Sequence, residues 1–324
     1  MKNNLTVAIC AYNCENYIAL TLDSLMKQTF NNFDLIIVND CSTDRTAEVI
    51  NKYFEKNPRQ YQLHHFKENQ GLCGGRVWVE HNVQTKYLMF MDADDILYPT
   101  YVETLYKKIT SDSDIMAVGC YVEYINSAGK KIGGGIFLGE TTKEGFYKKA
   151  ANNKLIFSIA TSMYNREIAL RVGGHNNIGF PEGKIRYQDF CEDLDLWTRM
   201  SDLYKEGKAI VVIPQILYQY RKHTSVVSAN TYGMLLRMRQ IKTNLLRRRN
   251  GEKDLTFIEF SQSLSDVELK KIKIHSKSVD ELRKGAFLIQ KGCIFNGCIS
   301  IAKSIYYNPS YIIDKIKHNL LRIK

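Results

Sequence analysis

The fold is decided by the stretch Tyr87-Leu-Met-Phe-Met-Asp-Ala-Asp-Asp95, in which five apolar residues end abruptly in acids. A short apolar run bounded in this way predicts a buried β-strand. Asp92 and Asp94 stand one residue apart at its end, so that alternation or the following turn brings both carboxylates to one pocket. Mg²⁺ and Mn²⁺ prefer such oxygen ligands and share them with substrate phosphates. The alternative is a solvated turn in which an Asp caps the helix near Pro99.

Upstream of this stretch, apolar runs alternate with helical patterns. Strands are predicted at residues 5–10, 35–38 and 62–66, and helices at 17–26, 46–54 and 72–83. This alternation predicts an α/β fold with a mostly parallel sheet flanked by crossover helices. Because ligands bind at the carboxyl ends of such strands, the polar residues Asn13 and Asp40 are expected near Asp92 and Asp94.

Downstream, the pattern changes twice. A hairpin is predicted across 114–138 with its break at Gly133-Gly-Gly135, then a helix at 190–204 and strands at 210–213 and 216–220. After residue 229 only helices are predicted, at 232–249, 265–275, 279–303 and 309–323. This shift divides the chain into a catalytic domain, residues 1–229, and a helical C-terminal region, residues 230–324.

The charge of the chain follows the same division. The last 95 residues carry 19 Lys and Arg against 8 Asp and Glu, an excess equal to the net charge of +11 of the whole 324-residue chain. A neutral front and a basic back suggest chemistry in the first part and attraction to a polyanion in the second. With 44% hydrophobic residues the chain can bury a core, which excludes a disordered or collagen-like protein.

Cysteine usage and hydropathy bear on location. The eight cysteines are scattered without zinc-ligand spacing, which predicts reduced thiols in a reducing compartment. The N-terminus has no signal-peptide pattern, and no apolar run reaches the ~20 residues that a membrane-spanning helix needs. We therefore expect a cytoplasmic protein.

Three further motifs carry chemistry. Asp40, at the end of the second strand, is able to accept the imide N–H of uracil, or it forms an Asx turn before a helix. Arg76 follows glycines that admit a phosphate-bearing ligand, or it belongs to an ordinary helix start. Glu192-Asp193 opens a helix, where a carboxylate takes the proton of an acceptor hydroxyl or merely complements the helix dipole.

Together these motifs resemble family 2 glycosyltransferases with the GT-A fold, in that family's order and spacing. The resemblance covers roughly residues 4–228 and rests on the run TVAICAYNCENYIALTLDSLMKQTFNNFDLIIVNDCSTDRT and on ENQG, GGR, YLMFMDADD, CEDLDLWTR and YRKHTSVVS. The chain departs from the family at Cys10, where Pro is common, and at Cys41, where Gly is common. The resemblance implies a metal-dependent inverting transferase that moves a hexosyl or N-acetylhexosaminyl group from a UDP-sugar to a hydroxyl of a glycan or lipid-linked acceptor.

The resemblance also implies which residues bind the nucleotide. Cys10, Tyr12 and Asp40 would line the base and ribose pocket. Arg76 would lie near the uracil or the diphosphate, and Arg221 would approach the diphosphate.

Metal binding and proton transfer fall to other residues by the same resemblance. Asp94 would be the main ligand of Mn²⁺ or Mg²⁺, with Asp92 near the ribose and the metal, and His223 would close over the nucleotide as a further ligand. Asp193 would be the general base, and Glu192 would orient the acceptor or hold the loop.

Two alternatives remain open on the sequence. A nucleotidyltransferase acting on a sugar phosphate shares the sheet and the metal-bound nucleotide, but it needs a Gly-rich loop with a basic residue after the first strand. The segment Ala11-Tyr-Asn-Cys-Glu-Asn16 lacks both. A basic nucleic-acid-binding protein matches the charged tail, although the apolar faces of the tail helices argue against nucleic acid as the partner.

The last predicted helix favours a membrane instead. Asn308 is its expected cap, Pro309 its first residue, and Ile312 and Ile313 belong to an apolar face set among basic residues. Such a helix predicts an anionic membrane surface as partner and a peripheral location on the inner face of the cytoplasmic membrane. There it would serve bacterial surface-polysaccharide synthesis. The alternative is that this helix packs on the catalytic domain.

Overall fold

The computed structural model describes residues 3–183, 185–222, 230–290, 292–313 and 315. Its strands are β1 Leu5–Ala11, β2 Asp34–Asn39, β3 Gln62–His65, β4 Tyr87–Asp92, β5 Ile96–Leu97, β6 Ile115–Asn126, β7 Lys131–Ile136, β8 Met163–Asn165 and β9 Ala209–Lys222. Its helices are α1 Ile18–Met26, α2 Thr46–Lys56, α3 Gly71–Asn82, α4 Tyr101–Thr110, α5 Lys143–Ala151, α6 Arg166–Arg171, α7 Glu192–Met200, α8 Thr231–Arg249, α9 Phe257–Ser263, α10 Asp266–Gln290 and α11 Ile294–Tyr307.

The described strands form one sheet in the order β3-β2-β1-β4-β8-β6-β9-β5, with β7 paired to β6. Strands β3, β2, β1 and β4 are parallel, and β6 is parallel to β9. Strand β8 is antiparallel to both of its neighbours, β4 and β6. The predicted α/β fold with parallel N-terminal strands and crossover helices is confirmed.

The N-terminal strands are central because their side chains are apolar on both faces. Six of the seven residues of β1 are buried, and five of the six in both β2 and β4. Helix α1 buries Ile18, Leu22 and Leu25, which recur at helical spacing, against the core of which the strands are part. Burial on both faces leaves only the strand ends and loops for polar chemistry.

Several predicted elements are corrected in the second half of the sheet. The hairpin β6–β7 forms, but its turn lies at Asn126–Lys130, where Gly129 has φ 78°, while the Gly133-Gly-Gly135 run belongs to β7. The two strands predicted at 210–213 and 216–220 are one strand, β9, with an irregular register beside Cys120 and Tyr121. Helix α7 ends at Met200 and continues as a 3₁₀ helix, Ser201–Glu206.

The chain divides into two compact units, Met1–Val226 with Ile241–Asp254, and Val227–Gln240 with Leu255–Lys324. Helix α8 runs through the division. In the second unit, the sequence predicts a break near residues 276–278, whereas α10 continues to Gln290. The break occurs where Gly292 adopts φ 82° and its N–H donates to Ile289, while the N–H of Cys293 donates to Leu288, a glycine cap that ends helices.

Candidate active site

Parallel pairing places the key side chains together at one edge of the sheet. In the register of β1 with β4, Cys10 lies beside Asp92, and β1 with β2 brings Ala11 beside Asn39. These residues are the last or next-to-last of their strands, because each apolar run stops at the same level. The residues that the sequence analysis expects close together therefore lie at the carboxyl ends of β1, β2 and β4.

The acidic turn after β4 is held by hydrogen bonds from α1 and β9. The buried carboxylate of Asp95 accepts hydrogen bonds from Tyr218 Oη at 2.7 Å and from the backbone N–H of Arg221 at 2.6 Å. The hydroxyl of Thr21 donates to the carbonyls of Ala93 and Asp95 at 3.0 and 2.9 Å. These bonds fix the turn, and Asp92 and Asp94 on it remain partly exposed.

Arg76 joins the two acidic motifs. It lies on α3, is 1% exposed, and donates to Glu192 Oε1 at 2.7 Å and to Asp92 Oδ1 at 3.3 Å. Its guanidinium also lies 5.3 Å from the centre of the Phe90 ring. Burial lowers the pKa of Arg76, but Glu192 and Asp92 outweigh burial and raise that pKa above its ordinary value. One buried cation thus fixes the distance between the β4 turn and helix α7.

Glu192 and Asp193 are held differently, although they are neighbours in the first turn of α7. Glu192 is buried against Arg76, whereas Asp193 is partly exposed and accepts the N–H of Leu194 at 2.8 Å. The preceding Cys191 has φ 56°, a left-handed turn that starts the helix. Burial raises the pKa of both carboxyls, and Arg76 opposes the rise in each. Asp193 is the accessible member of the pair.

Charge accumulates between these motifs. Burial raises the pKa of Asp92, the negative charges of Asp94 and Asp193 raise it further, and Arg76 opposes them. A divalent cation would relieve this repulsion, and two carboxylates with substrate phosphates make a sufficient oxygen donor set. Among the described residues no cluster of three or more His, Cys, Asp or Glu side chains could hold a metal alone. His223, predicted as a further ligand, lies outside the described residues.

The start of α3 differs from the prediction. Both oxygens of Asp40 are engaged, Oδ1 by the N–H of Gln70 at 2.6 Å and Oδ2 by the N–H of Gly71 at 2.9 Å. Asp189, which the sequence analysis missed, accepts the N–H of Cys73 at 2.9 Å. A Cβ on Gly71 would lie 2.5 Å from Asp189 Oδ2, so this glycine makes room for the carboxylate. The protein's own acids therefore occupy the helix terminus that was expected to receive a phosphate.

Arg221 supports the acidic turn from the end of β9. It is fully buried, and its Nε donates to the carbonyl of Asp94 at 2.6 Å. Its Nη1 donates to the carbonyls of Asn126 and Ser127 at 3.0 and 3.1 Å, and its guanidinium lies 4.9 Å from the Tyr17 ring. These contacts hold the backbone of the metal-binding candidate, and the predicted approach of Arg221 to a diphosphate stays a prediction.

Two predicted pocket residues differ in accessibility. Tyr12 is 50% exposed beyond β1, where its ring is available to a ligand. Cys10 is partly buried beside Gly75, and a Cβ on that glycine would lie 2.9 Å from its Sγ. Burial raises the pKa of the Cys10 thiol to about 12, so that it is neutral near pH 7. Cys41 has φ 58°, a left-handed conformation that glycine adopts without strain, which accounts for the glycine common in the family, whereas the cysteine of this chain adopts it at a cost.

Comparison with known proteins agrees with this geometry. The sequence profile described as "Glycosyl transferase family 2" matches residues 6–173, just over half of the chain. The chain belongs to glycosyl transferase family 2. The matched segment contains β1 to β4 and the acidic turn, and it ends before α7, so the Glu192-Asp193 pair rests on the structure and on the resemblance of the CEDLDLWTR motif.

Two of the curated relatives are much longer proteins. The chain is 35% identical over 157 residues to the Glycosyltransferase GlyA of Streptococcus pneumoniae, covering 48% of this chain and 21% of that protein. It is 27% identical over 303 residues to the hyaluronan synthase of Pasteurella multocida, covering 94% of this chain and 29% of that protein. The chain thus spans less than a third of the length of either.

Solved structures share the fold. Residues 1–349 of TarS from S. aureus, in complex with UDP-GlcNAc, superpose with a TM-score of 0.55 at 19% identity, covering 96% of this chain and 92% of that one. The mannosyltransferase PcManGT from Pyrobaculum calidifontis, in complex with GDP-Man and Mn²⁺, gives a TM-score of 0.51 at 16% identity, covering 99% and 81%. The fold is the GT-A type expected of family 2 glycosyltransferases.

Proposed function

We propose that the protein is a metal-dependent inverting glycosyltransferase that moves a sugar from a UDP-sugar to a hydroxyl of a glycan or lipid-linked acceptor. The observation that carries the proposal is the Arg76 bridge, which joins Asp92 of the acidic turn to Glu192 beside Asp193. It brings a carboxylate site suited to a metal-bound diphosphate close to a separate, accessible carboxylate suited to proton transfer.

The donor side consists of the β4 turn. Asp94 and Asp92 would hold Mn²⁺ or Mg²⁺ together with the donor phosphates, and the cation would stabilise the negative charge of the departing nucleoside diphosphate. Tyr12 is accessible enough to pack against the base, with Cys10 and Asp40 deeper in the same edge. Asp40 already accepts backbone N–H groups, but a carboxylate has lone pairs for a further donor such as uracil N–H.

The acceptor side is Asp193. Its carboxylate would take the proton of the acceptor hydroxyl while that oxygen attacks the anomeric carbon and the bond from this carbon to the phosphate oxygen breaks. Attack opposite the leaving group inverts the anomeric configuration. Burial raises the pKa of Asp193 from its ordinary value, which makes the carboxylate a stronger base. Glu192 stays buried on Arg76 and holds the start of α7 in position.

The proposal extends to donor class and biological setting. The bound UDP-GlcNAc of TarS and the name of the hyaluronan synthase support a hexosyl or N-acetylhexosaminyl donor, and the GDP-Man of PcManGT supports testing other nucleotides. Surface-polysaccharide synthesis on a lipid-linked acceptor would put the catalytic domain, residues 1–229, on the cytoplasmic face of the membrane. The C-terminal region, residues 230–324, would then meet the anionic lipid. No described helix is long and apolar enough to cross a bilayer.

A donor panel tests the proposal. Release of nucleoside diphosphate is measured with UDP- and GDP-sugars, with and without an undecaprenyl-diphosphate-linked acceptor, in Mn²⁺, in Mg²⁺ and in a chelator. We expect release from UDP-sugars that requires a divalent cation and rises with acceptor. Separately, UDP with Mn²⁺ should raise the melting temperature of the protein. If no nucleotide sugar is consumed and no nucleoside diphosphate alters melting, the proposed function is wrong.

A further inference from the structure

Helix α11 has an apolar face that points to solvent. At 3.6 residues per turn, seven residues fall within an arc of about 140°, and all seven are exposed. They are Ile294, Phe295, Cys298, Ile299, Ala302, Ile305 and Tyr306. Phe295 is 79% exposed and Tyr306 is 84% exposed. A surface helix of a globular protein ordinarily turns such a face inward, so this orientation requires a cause.

The opposite face of α11 supplies the cause, because it pairs with α10 through small residues. A Cβ on Gly285 would lie 2.9 Å from the carbonyl oxygen of Gly297, and a Cβ on Gly297 would lie 2.9 Å from that of Gly285. About two helical turns away from these glycines, the two helices are joined by serines. Ser278 Oγ donates to the carbonyl of Ser304 at 2.8 Å, and Ser304 Oγ donates to the carbonyl of Ser278 at 2.6 Å. The hairpin closes on these contacts and leaves the large side chains outside.

The sequence around this face carries charge of one sign. From Leu282 to Ile313 it has no Asp or Glu and four basic residues, Arg283, Lys284, Lys291 and Lys303. The described side chains of Arg283, Lys284 and Lys303 are exposed. An apolar face in a segment whose charges are all positive is complementary to an anionic bilayer interface, where apolar side chains enter the headgroup boundary and cations meet lipid phosphates.

We propose that the outer face of α11 docks on an anionic lipid bilayer, with the helix lying in the interface. Fourteen residues in α11 measure about 21 Å, which suits a helix parallel to the surface. The last predicted helix is not the carrier at its described start. There Ile312 is buried, and the Tyr311 ring lies 4.8 Å from that of His275 on α10, so this start packs within the second unit. Asn308 caps it as predicted, accepting the N–H of Tyr311 at 3.2 Å.

Vesicle flotation with the full chain tests the proposal. One set of vesicles contains phosphatidylcholine and phosphatidylglycerol in equal parts, and the other contains phosphatidylcholine alone. The variant Phe295→Ser with Ile299→Ser should lower the partition coefficient on anionic vesicles at least about tenfold, because two apolar side chains no longer enter the interface. Lys284→Glu with Lys303→Glu should weaken flotation on the anionic vesicles only, and high salt should do the same to the parent protein.

The matched control is Ile258→Ser with Val267→Ser, which removes two exposed aliphatic side chains of α9 and α10 beside acidic residues. The control should float like the parent, and circular dichroism should be unchanged in every variant. Equal flotation of parent and Phe295→Ser/Ile299→Ser would overturn the proposal. So would a parent that does not float but forms a dimer by light scattering, with the dimer lost in that variant.

The inference extends the membrane part of the proposed function, and the two fail separately. Flotation reads lipid binding, whereas release of nucleoside diphosphate with a soluble acceptor reads transfer. A parent that transfers sugar without floating defeats only the docking surface. A parent that floats without consuming any nucleotide sugar defeats only the proposed reaction.

Discussion

Helix α3 carries one buried acid, Glu80, and holds two others, Asp92 and Glu192, through Arg76, and the pKa of Glu80 moves in the opposite direction to those of the other two. Glu80 accepts three hydrogen bonds, from His175 Nδ1 at 2.8 Å, from the His175 backbone at 2.7 Å and from Tyr164 Oη at 2.6 Å. Although burial raises the pKa of Glu80, the charge interaction with His175 and these hydrogen bonds outweigh burial and lower it to about 2. One helical turn earlier, Arg76 faces Asp92 and Glu192, whose pKa values burial raises.

The difference separates a structural acid from reactive ones. Because three hydrogen-bond donors satisfy the carboxylate of Glu80, its ionised form stabilises the fold. The acids of the proposed active site share one cation and repel one another, so their ionised forms cost stability. Such strain is typical of sites that a ligand or metal completes.

The largest expected effect comes from Asp94→Ala, which removes the proposed main metal ligand from the reactive group. The rate of nucleoside diphosphate release should fall at least about 10⁴-fold, and UDP with Mn²⁺ should no longer raise the melting temperature of the variant. Asp112→Ala, in a surface turn where Asp112 pairs with Lys143, is the control and should keep full activity. Metal-dependent turnover by a folded Asp94→Ala protein would remove this residue from the site.

Asp193→Asn tests the accessible acid. We expect kcat to fall roughly 10²–10⁴-fold while UDP binding is unchanged, because the variant loses only its proton acceptor. Since burial raises the pKa of Asp193, its charge opposes folding at neutral pH, and the variant should melt slightly higher than the parent. Asp195→Asn, on the same helix, is the control for kcat. Loss of UDP binding in Asp193→Asn would assign this residue to the donor pocket instead.

Glu80→Gln examines the structural acid by its pH dependence. The folded pKa of about 2 lies below the ordinary value of 4.5, so the ionised group stabilises the fold fully above about pH 4.5 and progressively less as the pH falls through 2. The variant should lose on the order of 3 kcal/mol of unfolding free energy at pH 7 and little at the acid end. Urea denaturation across this range measures the difference. A difference independent of pH would show that the charge of Glu80 is irrelevant.

Arg76→Lys probes the cation that Asp92 and Glu192 share, and it should have the smallest effect. A single ammonium cannot reproduce both guanidinium contacts, so one carboxylate loses a donor at a cost of about 1–3 kcal/mol of unfolding free energy. Arg59→Lys, where a half-buried guanidinium lies 4.1 Å from the Phe33 ring, is the matched control for the loss of a guanidinium outside the site. If Arg76→Lys retains kcat as well as stability, the bridge does not set the geometry of the site.

Much of the catalytic unit could be predicted from the sequence, because β1 to β4 are apolar runs that end in polar residues. The acidic turn was predicted by the same reasoning, and the Glu192-Asp193 helix start was predicted from its pair of carboxylates and from the CEDLDLWTR motif. The partners of these motifs could not be predicted. Arg76 meets Glu192 across 116 residues of chain, and Asp189 meets Cys73 across the same separation. No periodicity encodes such pairings, since only the packed sheet and helices bring them together.

In the C-terminal unit, the sequence predicts helices but neither their boundaries nor which of their faces is exposed. Hydrophobic periodicity predicts an apolar face on α11, but it does not predict whether that face is buried or exposed. The small residues on the opposite face, which pack on α10, carry no recognisable signal in the sequence. The sequence predicts a helix break at residues 276–278. In the structure α10 continues through these residues, and Ser278 makes buried hydrogen bonds with Ser304 on α11. Gly292, which was passed over, ends the helix instead.

The acids at the start of α3 affect which positive charge is available to a departing nucleoside diphosphate. A helix terminus is a permanent positive pole that needs no ion from outside, but here Asp40 and Asp189 already consume it. On the proposed reaction, the charge of a departing nucleoside diphosphate would then be met by an exchangeable cation, so that the rate of sugar transfer would depend on the concentration of free divalent metal.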